Sequence, residues 1–318
     1  MSVVRQIARY GYAPFMLLGL NGAAYWVVAN GHSYVWLAPL ILVALGTAFL
    51  AERASPWYAE WNGHQEDDAA TALHALVYEI SNVNGVLLIP LIVWLFPWGT
   101  GVWPTHWPLV VQWLMAVVAV DFAFMFMHFL SHRYAILWRL HAVHHGLGRL
   151  QGFNGFVRHP IHQTIDMMVG IMPLVILGMP VEVAVLMGFS VSVQLIVQHS
   201  NVSYELGPFR NHLSIGQLHH IHHVNWGKEG DCNFGLFLTL WDKLFGTFQA
   251  EPPRKIEARD MGIDEVPNFP RQSFWQQMVF PFVYEPGKGD PIAKRQASLA
   301  TPEAPRAEEE RPRLHAAE

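Results

Sequence analysis

Cysteine is almost absent: Cys232 stands alone among 318 residues. One thiol makes no disulfide framework, no thiolate zinc site and no cysteine-ligated iron–sulfur cluster, so a metal here must be held by imidazole and carboxylate. Charge is scarce as well, at 14% Asp, Glu, Lys and Arg, against about 25% in soluble domains. Its distribution is more telling than its amount, because no acidic or basic residue occurs between Arg9 and Glu52, between Glu79 and Asp121, or between Glu182 and Glu205. Each gap is long enough for at least one membrane crossing of about 20 residues. The sequence therefore describes an integral membrane protein. Its net charge of −5 is mild and its basic residues form no stripe, which sets nucleic acid aside as a partner. It contains no internal repeat, no Gly-rich phosphate loop and no nucleophile elbow.

What is present is a series of apolar runs. Arg5 and Arg9 precede a first span, Tyr12 to Ala29, and a polar turn at 30–34 leads to a second, Val35 to Ala51. Two spans joined so tightly read as a retained signal anchor and not as a cleaved leader. A third span covers Leu76 to Trp98 and a fourth covers Pro108 to Leu130, with Trp94, Trp98, Trp103 and Trp107 crowding the headgroup level between them. A last pair, Ile165 to Leu177 and Val181 to Val197, is broken by Gly178 and Pro180. Its first member is short for a crossing, which points to a re-entrant or short helical hairpin. Connections 30–34 and 99–107 carry no Lys or Arg, whereas Arg133, Arg139, Arg149, Arg158, Arg210, Lys228 and Lys243 follow the fourth and last spans. The positive-inside rule then places the N-terminus and that second set of loops in the cytoplasm. From Glu251 the composition turns to Pro, Glu, Arg and Ala, with one last apolar patch at 274–284 and a tail from about Pro286 too polar to order itself.

Against this background the histidines stand out: 13 of 18 lie between positions 128 and 223. His128 and His132 are four apart at the end of the fourth span, so their imidazoles share a helix face. His141, His144 and His145 are spaced i, i+3, i+4, as are His219, His222 and His223, and each trio is expected to aim several nitrogens at one point. His199 closes the last apolar run. Nine imidazoles exceed the four to six that one ion takes, so two metals fit the count. His159 and His162, in Arg158-His159-Pro160-Ile161-His162, are possible additional ligands or loop and headgroup residues. Asp121, seven residues before His128, is expected to orient a ligand imidazole or to make a buried hydrogen bond. His220 interrupts its trio's register and is expected to face outward. His32, His64, His74, His106, His212 and His315 read as incidental.

The spacing H-x3-H (128 to 132), H-x2-H-H (141 to 145) and H-x2-H-H (219 to 223) resembles the fatty acid hydroxylase / sterol desaturase superfamily of membrane-bound di-iron oxygenases. Leu137-Trp138-Arg139-Leu140-His141, Gln198-His199-Ser200-Asn201 and Asn233-Phe234-Gly235 ahead of Trp241-Asp242-Lys243 agree with it. The likeness covers about Asp121 to Phe248. It implies an all-α membrane protein of about four transmembrane helices plus the hairpin, with a cytosolic helical cap holding two iron ions. It carries over His128, His132, His141, His144, His145, His199, His219, His222 and His223 as ligands. Two positions depart from the family pattern: Phe129 stands where Arg is common, and Ser203 stands where some members place a further histidine. The second departure leaves one coordination position to water, His159 or His162.

The implied activity is O2-dependent hydroxylation of an unactivated C–H bond of a membrane lipid, an acyl chain, sterol or similar apolar substrate. Desaturation with the same ligands is the alternative, and a zinc-dependent hydrolase or a metal transporter or sensor the rivals from other classes. Transporters place polar ligands near the bilayer midplane, whereas these lie at span ends. An external electron donor, ferredoxin-like or a cytochrome, is required and is expected to dock near Arg139, Arg149 and Arg158. The organisation expected is a membrane-embedded domain over 1–250 with its catalytic core at 121–248, a C-terminal extension at 251–285 and a disordered tail at 286–318.

Overall fold

The computed structural model describes residues 2–63, 66–99 and 101–290. Most of the expected tail, together with His64 and His315, lies outside the described residues. The described chain is all-helical: α1 Val3–Ala29, α2 Tyr34–Ala54, α3 Asp68–Leu87, α4 Ile89–Leu95, α5 Leu109–Ser131, α6 Ala135–His145, α7 Pro160–Gly170, α8 Met172–Ile176, α9 Val181–His199, α10 Gln217–His222, α11 Leu240–Phe245 and α12 Phe274–Val283. Four of these, α1, α2, α5 and α9, are long and apolar enough to cross a membrane.

The spans differ from the sequence expectation where proline intervenes. α1 begins at Val3, so Arg5 and Arg9 lie inside it, and after Pro14 it loosens into a π-helical segment, Phe15–Leu20. Proline lacks the N–H that would bond one turn back, and a widened turn absorbs the defect. The third expected span is the pair α3 and α4, bent by 43° at Leu88. Pro90, in the first turn of α4, removes one backbone bond there. The hairpin is present, and its turn reaches the face remote from the histidines, where the Leu177 carbonyl accepts the Trp103 N–H at 2.9 Å. Its first arm is interrupted before Pro173.

Helix α9 is the pillar of the bundle, packed on α1, α2, α5 and the turn Gly152–Phe156 and buried along most of its length. Its polar residues consequently face protein and not lipid. Ser190 donates to Asn21 of α1 and accepts from Trp113 of α5, while the amides of Gln194 and Gln198 donate to the carbonyls of Ser214, Leu236 and Gly235. At its lower end Glu52 of α2 accepts the N–H groups of Gly152 (2.8 Å) and Asn201 (3.1 Å). That carboxylate ties α2 to the chain on both sides of the site.

Arg149 is 5% exposed. Its guanidinium pairs with Asp67 at 2.9 Å and with Asp68, and donates to the carbonyls of Trp61 and Gly63. Arg158 is likewise committed, to Asp166 at 2.9 Å. The expected docking of an electron donor on Arg139, Arg149 and Arg158 is therefore corrected: two of the three hold the fold together from inside it. Removing the guanidinium would leave Asp67 buried without its counter-charge, which costs about 3–5 kcal/mol. We expect Arg149→Met to lower the unfolding midpoint in detergent well below that of Arg139→Met; equal midpoints would refute the structural role.

Candidate metal centre

Four helices, two of them with their caps, bring the nine histidines together. The end of α5 supplies His128 and, as its cap, His132; α6 supplies His141, His144 and His145; the last residue of α9 is His199; α10 and its cap supply His219, His222 and His223. Their ligand nitrogens fall into two groups, His128, His132, His141, His145 and His222 in one and His144, His199, His219 and His223 in the other, with the atoms of each within 4.8 Å of one another. The expectation that each trio aims at one point is thereby corrected. Residues i and i+4 lie about 40° apart around a helix, whereas i+3 lies about 100° from i+4. Each trio therefore sends its i, i+4 pair to one group and its middle histidine to the other.

The orientation of the rings is set by what holds Nδ1. His128 Nδ1 lies 3.0 Å from the Phe234 carbonyl, His144 Nδ1 2.9 Å from Val157, His199 Nδ1 2.8 Å from Leu195 and His222 Nδ1 2.9 Å from Cys232. His132 Nδ1 lies 2.9 Å from Asp231 Oδ1. A carbonyl or carboxylate only accepts, so each of these Nδ1 atoms carries the hydrogen, and Nε2 of the neutral ring is left with a lone pair. Yet His144 and His199 point their Nε2 atoms at each other at 3.2 Å. His145 Nε2 has three such neighbours, His132 at 3.2 Å, His141 at 3.1 Å and His222 at 3.0 Å, and at most one hydrogen to offer. Lone pairs facing at this distance repel unless a cation lies among them. Two nitrogens each about 2.0–2.1 Å from one ion are about 2.9–3.4 Å apart, over the range from octahedral to tetrahedral angles. The donor set thus fits a metal in each group.

Burial reinforces that state. It pushes the pKa values of His141, His144, His145, His219, His222 and His223 well below the usual 6.5, and the neighbouring histidines push the same way. His132 is also lowered by burial, with Asp231 opposing. Neutral imidazole is the ligand form.

The remaining sequence candidates fall outside both groups. His159 caps α7, its Nδ1 accepting the Ile161 N–H at 3.2 Å while Nε2 donates to the Met278 carbonyl. His162 has its ring 4.9 Å from that of His141, but its Nε2 faces Ser131 Oγ at 2.9 Å and its Nδ1 faces Asp166 at 3.1 Å. Ser203 is bound to Ser55 through its backbone. The second group therefore has four members where the first has five.

Asp121 touches no imidazole. It accepts the N–H groups of Leu236, Phe237 and Leu238 and the Trp241 indole, and so corrects the expectation that it orients a ligand directly. Its effect on His128 runs through the loop whose Phe234 carbonyl holds that ring. Asp242 clamps the same loop from the other side through the N–H groups of Phe234 and Gly235. His220 is corrected too: it is fully buried, with its ring stacked 4.4 Å from Trp57. His74, far from incidental, bonds Gln277 at 2.6 Å.

Sequence reasoning missed Asp231, the carboxylate that does hold one of the grouped histidines, His132. It lies 99 positions from His132, so no helical spacing reveals it. The nearest signal is Asn233, which adopts φ +53°, a left-handed conformation that Asn tolerates better than most residues. Its side chain brackets Leu218 and Gln249. This turn lets the carbonyls of Cys232 and Phe234 both face histidines. The Cys232 thiol is turned to the Glu229 carbonyl, and burial pushes its pKa up to about 12. Gly155 is required by contact, because a Cβ there would lie 2.4 Å from the Leu195 oxygen that receives His199.

Two outcomes follow for the protein in solution. Asp231→Ala should weaken metal binding at the first group by about 10–100-fold while leaving the second, as titration against a chelator would read; unchanged affinity would refute the role of Asp231. Because the six buried histidines have folded pKa values below the unfolded 6.5, the unfolded chain binds more protons as pH falls below about 6.5. The stability they confer is therefore present above that pH and is lost progressively below it. The unfolding midpoint of metal-free protein should be flat above pH 6.5 and fall beneath it; a flat profile to pH 5 would contradict this.

Residues 113–247 match the family model described as fatty acid hydroxylase. The chain is 29% identical to the ornithine lipid hydroxylase of Rhizobium tropici over 300 residues, 91% of this chain and 87% of that protein. It is also 29% identical to the alkylglycerol monooxygenases of Homo sapiens and Danio rerio over 154 residues, 48% of this chain and a third of theirs (33%). No solved structure matches. The matched stretch contains all nine histidines of the two groups, so the candidate metal centre lies within the part of the chain that is similar to the fatty acid hydroxylase family.

Proposed function

We propose that the protein is an O2-dependent di-iron oxygenase that hydroxylates an unactivated C–H bond of a membrane lipid. The observation that carries this reading is the pair of histidine groups, five in one and four in the other, whose ring nitrogens converge beside the ends of apolar spans. All nine histidines act as ligands, five for one iron and four for the other. Iron bound there supplies O2 activation, which none of the chain's own side chains can perform. The residues of the chain bind and orient. The carbonyls of Phe234, Val157, Leu195 and Cys232 and the carboxylate of Asp231 fix the ligand rings, and the packed ends of α5, α6, α9 and α10 keep bulk water from the groups.

The substrate class follows from position. A lipid whose chains remain in the bilayer can present a carbon to a site at the span ends without leaving the membrane. The relatives are named for an ornithine lipid and for alkylglycerols, which supports a polar-headed lipid as substrate and hydroxylation over desaturation. The N-terminus and the histidine face lie in the cytoplasm by the distribution of Arg and Lys, where a ferredoxin-like or cytochrome carrier delivers the two electrons that each turnover consumes.

Metal analysis of anaerobically purified protein should find two irons per chain, and lipid extracts from cells bearing the active protein should contain a species heavier by one oxygen atom than those from cells without it. A single tightly held zinc with no oxygen consumption would overturn the proposal in favour of a hydrolase. Lipids lighter by two hydrogens would replace hydroxylation by desaturation.

A further inference from the structure

The apolar patch near the C-terminus, which the catalytic reading leaves without a role, forms α12, Phe274–Val283. No charged residue occurs between Arg271 and Glu285. One side of the helix is occupied by the protein: Phe274, Gln277, Phe280 and Pro281 are buried. The other side is as apolar and faces outward, with Trp275 73% exposed, Val279 55%, Phe282 66% and Val283 54%. These four fall at i, i+4, i+7 and i+8, one continuous face of a helix. We propose that α12 is an in-plane membrane anchor, its Trp275–Val279–Phe282–Val283 face sunk into the lipid–water boundary of the leaflet on the histidine side.

Several observations select lipid as the occupant. At 10 residues, α12 is half the length of a crossing, so it can only lie along the surface. It sits on top of two lipid-facing stripes. On α3 the exposed residues Leu76, Ile80, Val83 and Leu87 form one apolar line. α12 meets α3 just above that line, through the His74–Gln277 bond of 2.6 Å and the His74–Phe274 ring contact at 4.8 Å. On α7 the exposed Ile161 and Met168 form another such surface. α12 meets that helix at its cap, His159, through the Met278 carbonyl and the Phe282 ring at 6.0 Å. The outward face of α12 is thus continuous with surfaces already facing the bilayer. Water over that face would leave two large aromatic rings among the most exposed apolar groups of the chain. A Trp at the headgroup level is the ordinary arrangement.

The anchor has a consequence for the site. α12 packs along α6, the helix that carries His141, His144 and His145, and its cap Tyr284 receives the Trp138 indole N–H at 3.2 Å. The Trp138 ring lies 4.9 Å from that of His132. Lipid contact through α12 therefore holds the outer wall of the first histidine group against the membrane.

The test uses the full chain in phosphatidylcholine–phosphatidylglycerol vesicles. Cys232 is its one cysteine and is buried, so Cys232→Ala gives a clean background for nitroxide labels at Val279→Cys, Phe282→Cys and Arg259→Cys. Arg259 lies off α12, and its side chain is 80% exposed. Labels at 279 and 282 should collide with oxygen, which partitions into lipid, several-fold more than with a water-soluble nickel chelate, while the label at 259 should show the reverse. Equal nickel access at all three positions would overturn the proposal. So would spin–spin broadening at 279 that disappears on dilution with unlabelled protein, which would assign the face to a second copy of the chain. As a label-free check, brominated lipid should quench less of the tryptophan emission of Trp275→Phe than of the parent protein; equal quenching would count against the anchor.

Discussion

Nitrogen lone pairs brought face to face inside a protein repel, and the rest of this structure is arranged to hold them there. His144 and His199 meet at 3.2 Å with both Nδ1 hydrogens committed to carbonyls. Burial makes protonation of the rings an expensive escape, so a metal ion is the remaining way to satisfy them. Five of the nine rings are held from behind. That backing comes from four carbonyls and one carboxylate, distributed over α9, the residue that ends the Gly152–Phe156 turn and the loop following α10.

The loop following α10 shows how far the support extends. Cys232 and Phe234 present carbonyls to His222 and His128, and Asn233 between them adopts the strained conformation that permits both. Left alone, such a loop would be mobile. Asp121 and Asp242 take five of its N–H groups between them, and the amides of Gln194 and Gln198 take its carbonyls. Asp121 is thus a charge within a membrane span whose cost is met by four donors. It acts on the histidines at one remove.

Much of this was legible in the sequence, because helical spacing is a local property. The helices α5, α6, α9 and α10 and their caps carry the nine histidines that the sequence singled out, and the gaps between charges located the second, fourth and last spans to within a few residues. What spacing cannot carry is direction relative to a partner helix. The trios look like units in sequence, yet each is divided, because the groups form where α6 and α10 face α5 and α9. The carbonyl supports were invisible for a simpler reason, since every residue has a carbonyl. The docking expected at Arg149 and Arg158 fails because sequence shows charge and not burial, and Asp67 and Asp166 lie 82 and 8 positions from their partners.

Division of the trios also means that the two groups cannot be built separately. α6 gives His141 and His145 to one and His144 to the other, while α10 and its cap give His219 and His223 to one and His222 to the other. Rotating either helix to improve one group would worsen the second, so the geometry of both is fixed by a single packing arrangement. Two helices sharing two groups in opposite proportion resist rotation in either sense. A protein in which each trio served its own ion would lack that constraint, and its two sites could drift apart independently. The i, i+3, i+4 repeat is therefore the pattern that makes two adjacent sites into one centre. The buried pillar α9 completes it, bringing His199 to the second group from the opposite side.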